Sequence, residues 1–146
     1  MQIRRANILD LSPLLAMLYS MHNETELQVP DIVPEKISVK VNEAINRGVV
    51  LVALNKENRL LGSIGGLVTS DWWSEEKFLA DMWFYVYPQH RSSSAAIKLV
   101  KEFIKIGQDA KLPVRLGHIF SGDLERKDKL FERLGMTKAG CVFVES

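Results

Sequence analysis

A chain of 146 residues with 47% hydrophobic and 25% charged positions is long enough to bury roughly 70% of its unfolded surface, so it needs neither disulfides nor metal to hold a core. Nineteen basic and 18 acidic side chains leave a formal net charge of +1, without the basic excess of a dedicated nucleic-acid binder. One cysteine, Cys141, excludes an internal disulfide framework and suits a reducing compartment such as the cytoplasm. Arg4 and Arg5 interrupt any apolar leader at once, and no run is long enough for a membrane span.

Met1 to Ala6 reads as a short strand. A helix follows, capped by Asp10 or Ser12, with Pro13 in its first turn and Leu11, Leu14, Leu15 and Leu18 as its buried stripe. His22 to Val33 reads as a loop. A second helix starts near Pro34, buries Ile37, Val41, Ala44 and Ile45, and ends at Gly48. Val49 to Leu54 and Leu60 to Thr69 form a hairpin around the turn Asn55 to Asn58. Gly62, Gly65 and Gly66 inside a strand point to a bulge or a close approach. Asp71 to Glu76 is an acidic turn holding Trp72 and Trp73, and Phe78 to Tyr87 is a long aromatic strand that stops at Pro88.

The third helix runs from about Ser92 to Ala110, with Ala96, Ile97, Val100, Phe103, Ile104 and Gly107 on one face. Val114 to Phe120 is a further strand, Arg126 to Leu134 a short helix closed by Gly135, and Cys141 to Val144 a last strand. The order is β-α-α-β-β-β-α-β-α-β, a mixed α/β chain read as one domain over residues 1–146.

The junction after Tyr87 carries the most chemistry. A helix start leaves backbone N–H groups unpaired and adds the positive end of the macrodipole, which together attract anions. Arg91 adds a cation with a planar donor fork. Ser92, Ser93 and Ser94 add hydroxyls, and Ala95 and Ala96 leave room for a ligand. A plain serine cap beside a solvated arginine fits the same letters, but a P-loop does not, because its glycine-lysine pattern is missing.

Arg91-Ser92-Ser93-Ser94-Ala95-Ala96, preceded by Val86-x-Pro88, resembles the Arg/Gln-x-x-Gly-x-Gly/Ala loop of the GNAT N-acyltransferase superfamily, with Ser94 at the usual first glycine. The segment Leu54 to Gly62 is similar to that family's hairpin between its second and third strands. Phe131-Glu132-Arg133-Leu134-Gly135-Met136 is similar to its Tyr-x-x-Leu-Gly-Phe motif. The serines and the aromatic strand before them look most like phage- and prophage-type members.

The resemblance implies a mixed, mostly antiparallel sheet of six to seven strands, about four helices, and a splay between the fourth and fifth strands. It implies acetyl-CoA as acyl donor, a primary amine of a small molecule or peptide as acceptor, and room for a homodimer. Arg91, Ser92, Ser93, Ser94, Ala95 and Ala96 would hold the pyrophosphate. Phe84, Tyr85 and Val86 would bond the pantetheine arm through their backbone, with Phe131 packed beside the thioester. Phe131 cannot protonate the sulfur, so Tyr85, Tyr87, Ser121 and water are the candidate acids. Asp81 is the first candidate base and His118 its rival, each with an ordinary structural role as the alternative. His90 adjoins the phosphate loop. His22, Glu24, Glu26, Asp71, Glu75 and Glu76 would face a cationic acceptor, with Trp72 and Trp73 walling a pocket or a dimer contact. Three scattered histidines and one cysteine suggest no metal site. A binding protein without turnover is the alternative function.

Overall fold

The computed structural model describes residues 1–26, 28–117 and 124–145. Its elements, in chain order, are β1 (Gln2–Arg5), α1 (Leu11–Glu24), α2 (Pro34–Arg47), β2 (Val49–Leu54), β3 (Leu60–Ser70), β4 (Lys77–Val86), α3 (Ala95–Asp109), β5 (Val114–Arg115) and α4 (Leu124–Arg133). Among the described residues five strands form one sheet in the order β1-β2-β3-β4-β5. Every pair is antiparallel except β4 with β5, which is parallel.

Two apolar layers sandwich this sheet. Leu51, Ile64, Leu79, Phe84 and Val86 pack with Leu99, Val100 and Phe103 of α3 and with Phe131 of α4. On the other layer, Val50, Val52, Trp83 and Tyr85 pack with Leu14, Met17 and Leu18 of α1 and with Val41 and Ala44 of α2. β2 is buried at every position, as expected for a central strand covered on both faces.

The β2–β3 hairpin turns at Asn55, whose side-chain oxygen accepts the backbone N–H groups of Glu57 and Arg59 at 2.9 and 3.0 Å. The glycines of β3 serve close contact. A Cβ on Gly65 would enter the Trp83 ring, and one on Gly66 would meet the Ala80 carbonyl. Between these two residues the register with β4 slips, pairing Gly65 with Trp83 and Gly66 with Asp81. Met82 is the extra residue of this bulge. The slip also reverses which face each β4 side chain takes: Leu79 and Phe84, five positions apart, share one layer. An unbroken strand would put them on opposite faces.

Several boundaries differ from the expectation. α1 continues through Glu24, so the loop after it is shorter than His22 to Val33. Asp10 takes the N-cap position of α1 without capping it. Its carboxylate accepts Asn7 N–H at 2.8 Å and pairs with Arg4 at 2.7 Å, closing a short 3-10 turn over Ile8–Asp10. Gly48 does follow α2, yet with φ of −109°. Glycine is needed there because a Cβ would meet the Gly66 carbonyl oxygen.

α3 starts at Ala95 rather than Ser92, because a 3-10 turn over Pro88–His90 intervenes. The strand expected over Val114 to Phe120 pairs only at Val114 and Arg115, and its last three residues lie outside the described ones. α4 starts two residues before Arg126 and ends at Arg133. Cys141 to Val144 forms no strand, so the described sheet has five strands rather than six to seven. Val142, Phe143 and Val144 are exposed. Their β-branched and aromatic character favours a strand only where a neighbour and a core face are on offer.

Candidate functional site

β4 and β5 share a short seam. Their pairing covers Leu79 with Val114 and Ala80 with Arg115. At the next step Asp81 turns its carboxylate to the Gly117 N–H at 2.9 Å, so a side chain takes the bond that a continuing ladder would supply. Beyond this fork, Tyr87 N–H donates to Leu61 O at 3.0 Å. Tyr87 therefore points its backbone at β3, and by the two-residue alternation of a strand so does Tyr85. The backbone groups of Phe84 and Val86 point the other way, along the edge that β5 leaves uncovered among the described residues. Among the described residues β4 and β5 pair at two positions only; residues 118–123, over which the expected splay would open, lie outside the described ones.

A cleft of about 380 Å³ opens on that edge. Phe84, Tyr85 and Val86 line one wall. Arg91, Ser92, Ser93, Ala96 and Ile97 close one end, and Arg126, Lys127, Lys129, Leu130 and Arg133 of α4 form the opposite wall. The helical ladder of α3 begins with Lys98 N–H to Ser94 O at 3.1 Å. The N–H groups of Ala96 and Ile97 thus lie in the first turn, where no carbonyl of the helix reaches them. Ala95 N–H is partly served by the Ser93 hydroxyl at 3.3 Å, which itself donates to His90 O at 2.5 Å. Ser94 sits at the N-cap position without a side-chain cap bond. The expected serine-rich turn is there, with Ser93 spent on shaping it.

α4 places four cations, Arg126, Lys127, Lys129 and Arg133, on the cleft wall. Lys127 lies 5.6 Å from the centre of the Phe84 ring, and Arg126 donates to the Arg91 carbonyl at 2.9 Å. Phe131, one turn after Lys127, packs at 5.9 Å from Phe84 between ring centres. α4 ends in a Schellman motif: Gly135 takes φ of +90°, its N–H reaches Glu132 O, and Met136 N–H reaches Phe131 O at 3.0 Å. That motif explains the Leu134-Gly135 pair physically and fixes the helix that carries the cations.

Arg91 lies in the turn as expected, but within the protein it has a carboxylate partner. Its Nη1 meets Glu24 Oε1 at 2.6 Å and its Nη2 meets Glu24 Oε2 at 2.8 Å. The Tyr85 hydroxyl donates to the same Oε2 at 2.6 Å. Burial opposes ionisation of Glu24. The hydrogen bonds from Arg91 and Tyr85 and the field of Lys127 outweigh it and hold the carboxyl below its usual range. Burial, then the Glu24 carboxylate, pushes the Tyr85 hydroxyl well above its ordinary value, which makes it a poor proton donor near neutrality.

Asp81 is pushed up to about 6, chiefly by burial, against the pull of the Gly117 N–H and the Lys127 charge. A carboxyl so poised suits proton transfer near neutral pH, although Asp81 is not among the described residues lining the cleft. His118 and Ser121 lie outside the described residues. His22 contacts Pro30 O at 2.8 Å, Asp71 pairs with Arg115 at 2.8 Å, and Trp72 and Trp73 stand exposed, edge to face at 5.4 Å. Glu24 and the α4 cations were not among the donor-site residues expected from sequence. A ten-residue helix with cations at 126, 127, 129 and 133 was the available signal; nothing local in sequence links Glu24 to Arg91.

No protein-family model matches the chain, and no curated protein matches its sequence. Solved structures do match. A ribosomal-protein-alanine N-acetyltransferase from Brucella melitensis superposes with a TM-score of 0.75 at 14% identity, over 99% of this chain and 96% of that one. The chain has a GNAT-like fold. An aminoglycoside 6'-N-acetyltransferase from Acinetobacter baumannii gives a TM-score of 0.73 at 14% identity, over 99% and 96% of the two chains. An acetyltransferase from Trypanosoma brucei gives 0.72 at 16%, over 99% and 98%. The GNAT-like mixed sheet expected from sequence is therefore found, with fewer strands.

Proposed function

We propose that the chain is an acyl-CoA-dependent N-acyltransferase, using acetyl-CoA to acetylate a primary amine of a small molecule or peptide. The observation that carries this is a backbone edge of β4 that no strand pairs among the described residues, beside a cleft that ends on the first turn of α3. Phosphates suit that turn, where the Ala96 and Ile97 amides, the helix dipole and the α4 cations act together. The pantetheine arm suits the Phe84 and Val86 edge, because an amide-bearing chain can complete the ladder that β5 does not.

In the reaction, the amine nitrogen attacks the thioester carbonyl carbon. The C–N bond forms, the C–S bond breaks, the nitrogen loses a proton and the CoA thiolate gains one. The chain's part is to hold the carbonyl oxygen against a fixed donor, for which a β4 amide is the natural candidate, and to align the two reactants. Asp81 is the described group tuned to accept the proton, and His118 remains its rival. Phe131 offers an apolar wall and no proton. The Tyr85 hydroxyl is engaged with Glu24, so the thiolate would draw its proton from water while Lys127 supplies positive charge nearby.

Phe131 and the engaged Tyr85 also support a second reading, an acyl-CoA-binding protein without turnover. Calorimetry with CoA and acetyl-CoA tests both: binding is expected, and its absence ends both. Thiol release across an amine panel then separates them, with turnover that falls in Asp81→Asn favouring the enzyme. Placement in the cytoplasm and pairing into a dimer belong to the same reading. Among the described residues no helix is long and apolar enough to cross a membrane.

A further inference from the structure

Arg91 is the meeting point of four segments. Its Nε donates to Val86 O at 2.9 Å, at the very end of β4. Both terminal nitrogens engage Glu24, the last residue of α1. Its guanidinium lies 5.3 Å from the centre of the Tyr85 ring, and its carbonyl accepts from Arg126 of α4. Glu24 in turn accepts from Tyr85, 61 residues away, and from Arg91, 67 residues away. With side-chain exposures of 30% and 28%, the pair is screened less than a surface pair and remains in reach of water.

A two-point arginine–carboxylate pair is among the stronger hydrogen-bonded contacts available to a protein. Three of the five guanidinium N–H groups are thus spent within the protein, and a phosphate approaching the other two would meet the Glu24 carboxylate beside them. That places the pair in the fold rather than on the ligand.

We propose that Glu24 is a positioning residue of the donor site: by fixing Arg91 and Tyr85 it holds the turn from Val86 to Ser94 in the shape that leaves the Ala96 and Ile97 amides open, and it ties that turn to the end of α1. The inference rests on the donor-site reading above, and it reverses the part expected of Arg91, from phosphate ligand to support. It also joins the donor turn to the α1–α2 side of the sheet, so displacement of Glu24 loosens the donor site from a distance.

The two roles of Arg91 predict opposite signs for one substitution. If Glu24 positions Arg91, Glu24→Gln weakens CoA binding about tenfold, Arg91→Gln does the same, and the double variant is no worse than either alone, because the residues act as one unit. If Arg91 is a phosphate ligand, Glu24→Gln releases it, and CoA binds as tightly as to the parent or more tightly. That outcome overturns the proposal. Tyr85→Phe removes one bond and keeps the ring; a loss of about two- to threefold is expected, and this variant carries the test should Glu24→Gln not fold.

Amide hydrogen exchange without ligand is the independent readout. Exchange at residues 92–97 is expected to rise at least about fivefold in Glu24→Gln while the β2 and β3 amides keep their protection. Unchanged exchange there overturns the positioning role alone. Failure of the parent protein to bind CoA overturns the proposed function instead, and the exchange result still decides whether Glu24 shapes the turn.

Discussion

The two halves of β4 share a strand and little else. From Lys77 to Ala80 the strand is flanked by β3 and then by β5, and Leu79 is fully buried. From Phe84 to Val86 it keeps β3 but has no strand partner on its second edge among the described residues, where Arg91 bonds only the Val86 carbonyl, and that edge faces the cleft. Buried backbone groups without partners are costly. An open edge beside a cleft is therefore stable in water and strengthened by anything that completes it. One half of the strand holds the sheet, the other is the half that the proposed function assigns to a chain-like ligand, and the bulge at Met82 marks the change.

The sharpest way to break this contrast is to forbid the bulge. A side chain at position 66 would overlap the Ala80 carbonyl, which is backbone and cannot swing away. Gly66→Val is expected to cost more than about 4 kcal/mol, enough to leave little folded protein, as read by circular dichroism. Leu79→Ala attacks the paired half instead and should cost about 3 kcal/mol by denaturant titration.

Asp81, at the fork itself, gives the contrast a pH dependence. Its carboxyl stands at about 6 in the folded chain, above the value near 4 of an unfolded aspartate, so the folded state binds the proton more tightly. Stability should fall as pH rises from about 4 to about 6 and then stay lower, by roughly 3 kcal/mol. Asp81→Asn should flatten that slope while its side-chain oxygen still accepts the Gly117 N–H. Denaturation midpoints on either side of the window check this; an unchanged slope would mean that Asp81 is not the group responsible.

On the open half, Ala96→Glu places a carboxylate at the first turn of α3. The helix should gain about 0.5 kcal/mol from the dipole, while CoA binding weakens more than about tenfold through repulsion. Stability and affinity moving in opposite directions would mark a ligand site rather than a structural one. Met82→Ala, at the exposed bulge residue, should shift stability by less than about 0.5 kcal/mol.

Much of the architecture was legible from local signals. Asn55 to Asn58 announced the hairpin, Gly65 and Gly66 the bulge, and Leu134-Gly135 the end of α4. These succeed because turns, bulges and caps are decided within a few residues. Cys141 to Val144 failed because its apolar, β-branched letters carry no information on whether an edge is available. The start of α3 was misplaced because three serines suit a helix cap, whereas here Ser93 serves the turn after Pro88. At the site, sequence singles out the Val86–Ala96 segment, part of which lines the cleft, but not the carboxylate that meets its most conspicuous charge. Arg91 offers a free cation on paper; only the fold brings Glu24 to 2.6 Å from it.

The Phe84 and Val86 edge has a consequence for how such a protein can drift. Its donors belong to the main chain, so a change of side chain alone leaves them in place, and proline is the natural residue that deletes the N–H outright. The constraints that remain are on small residues, turns and strand ends. Proteins built this way can diverge in nearly every letter and keep the fold, as the solved acetyltransferases that superpose on this chain at 14–16% identity do. Selection acting on the rest of the cleft is then free to change its lining without rebuilding that edge.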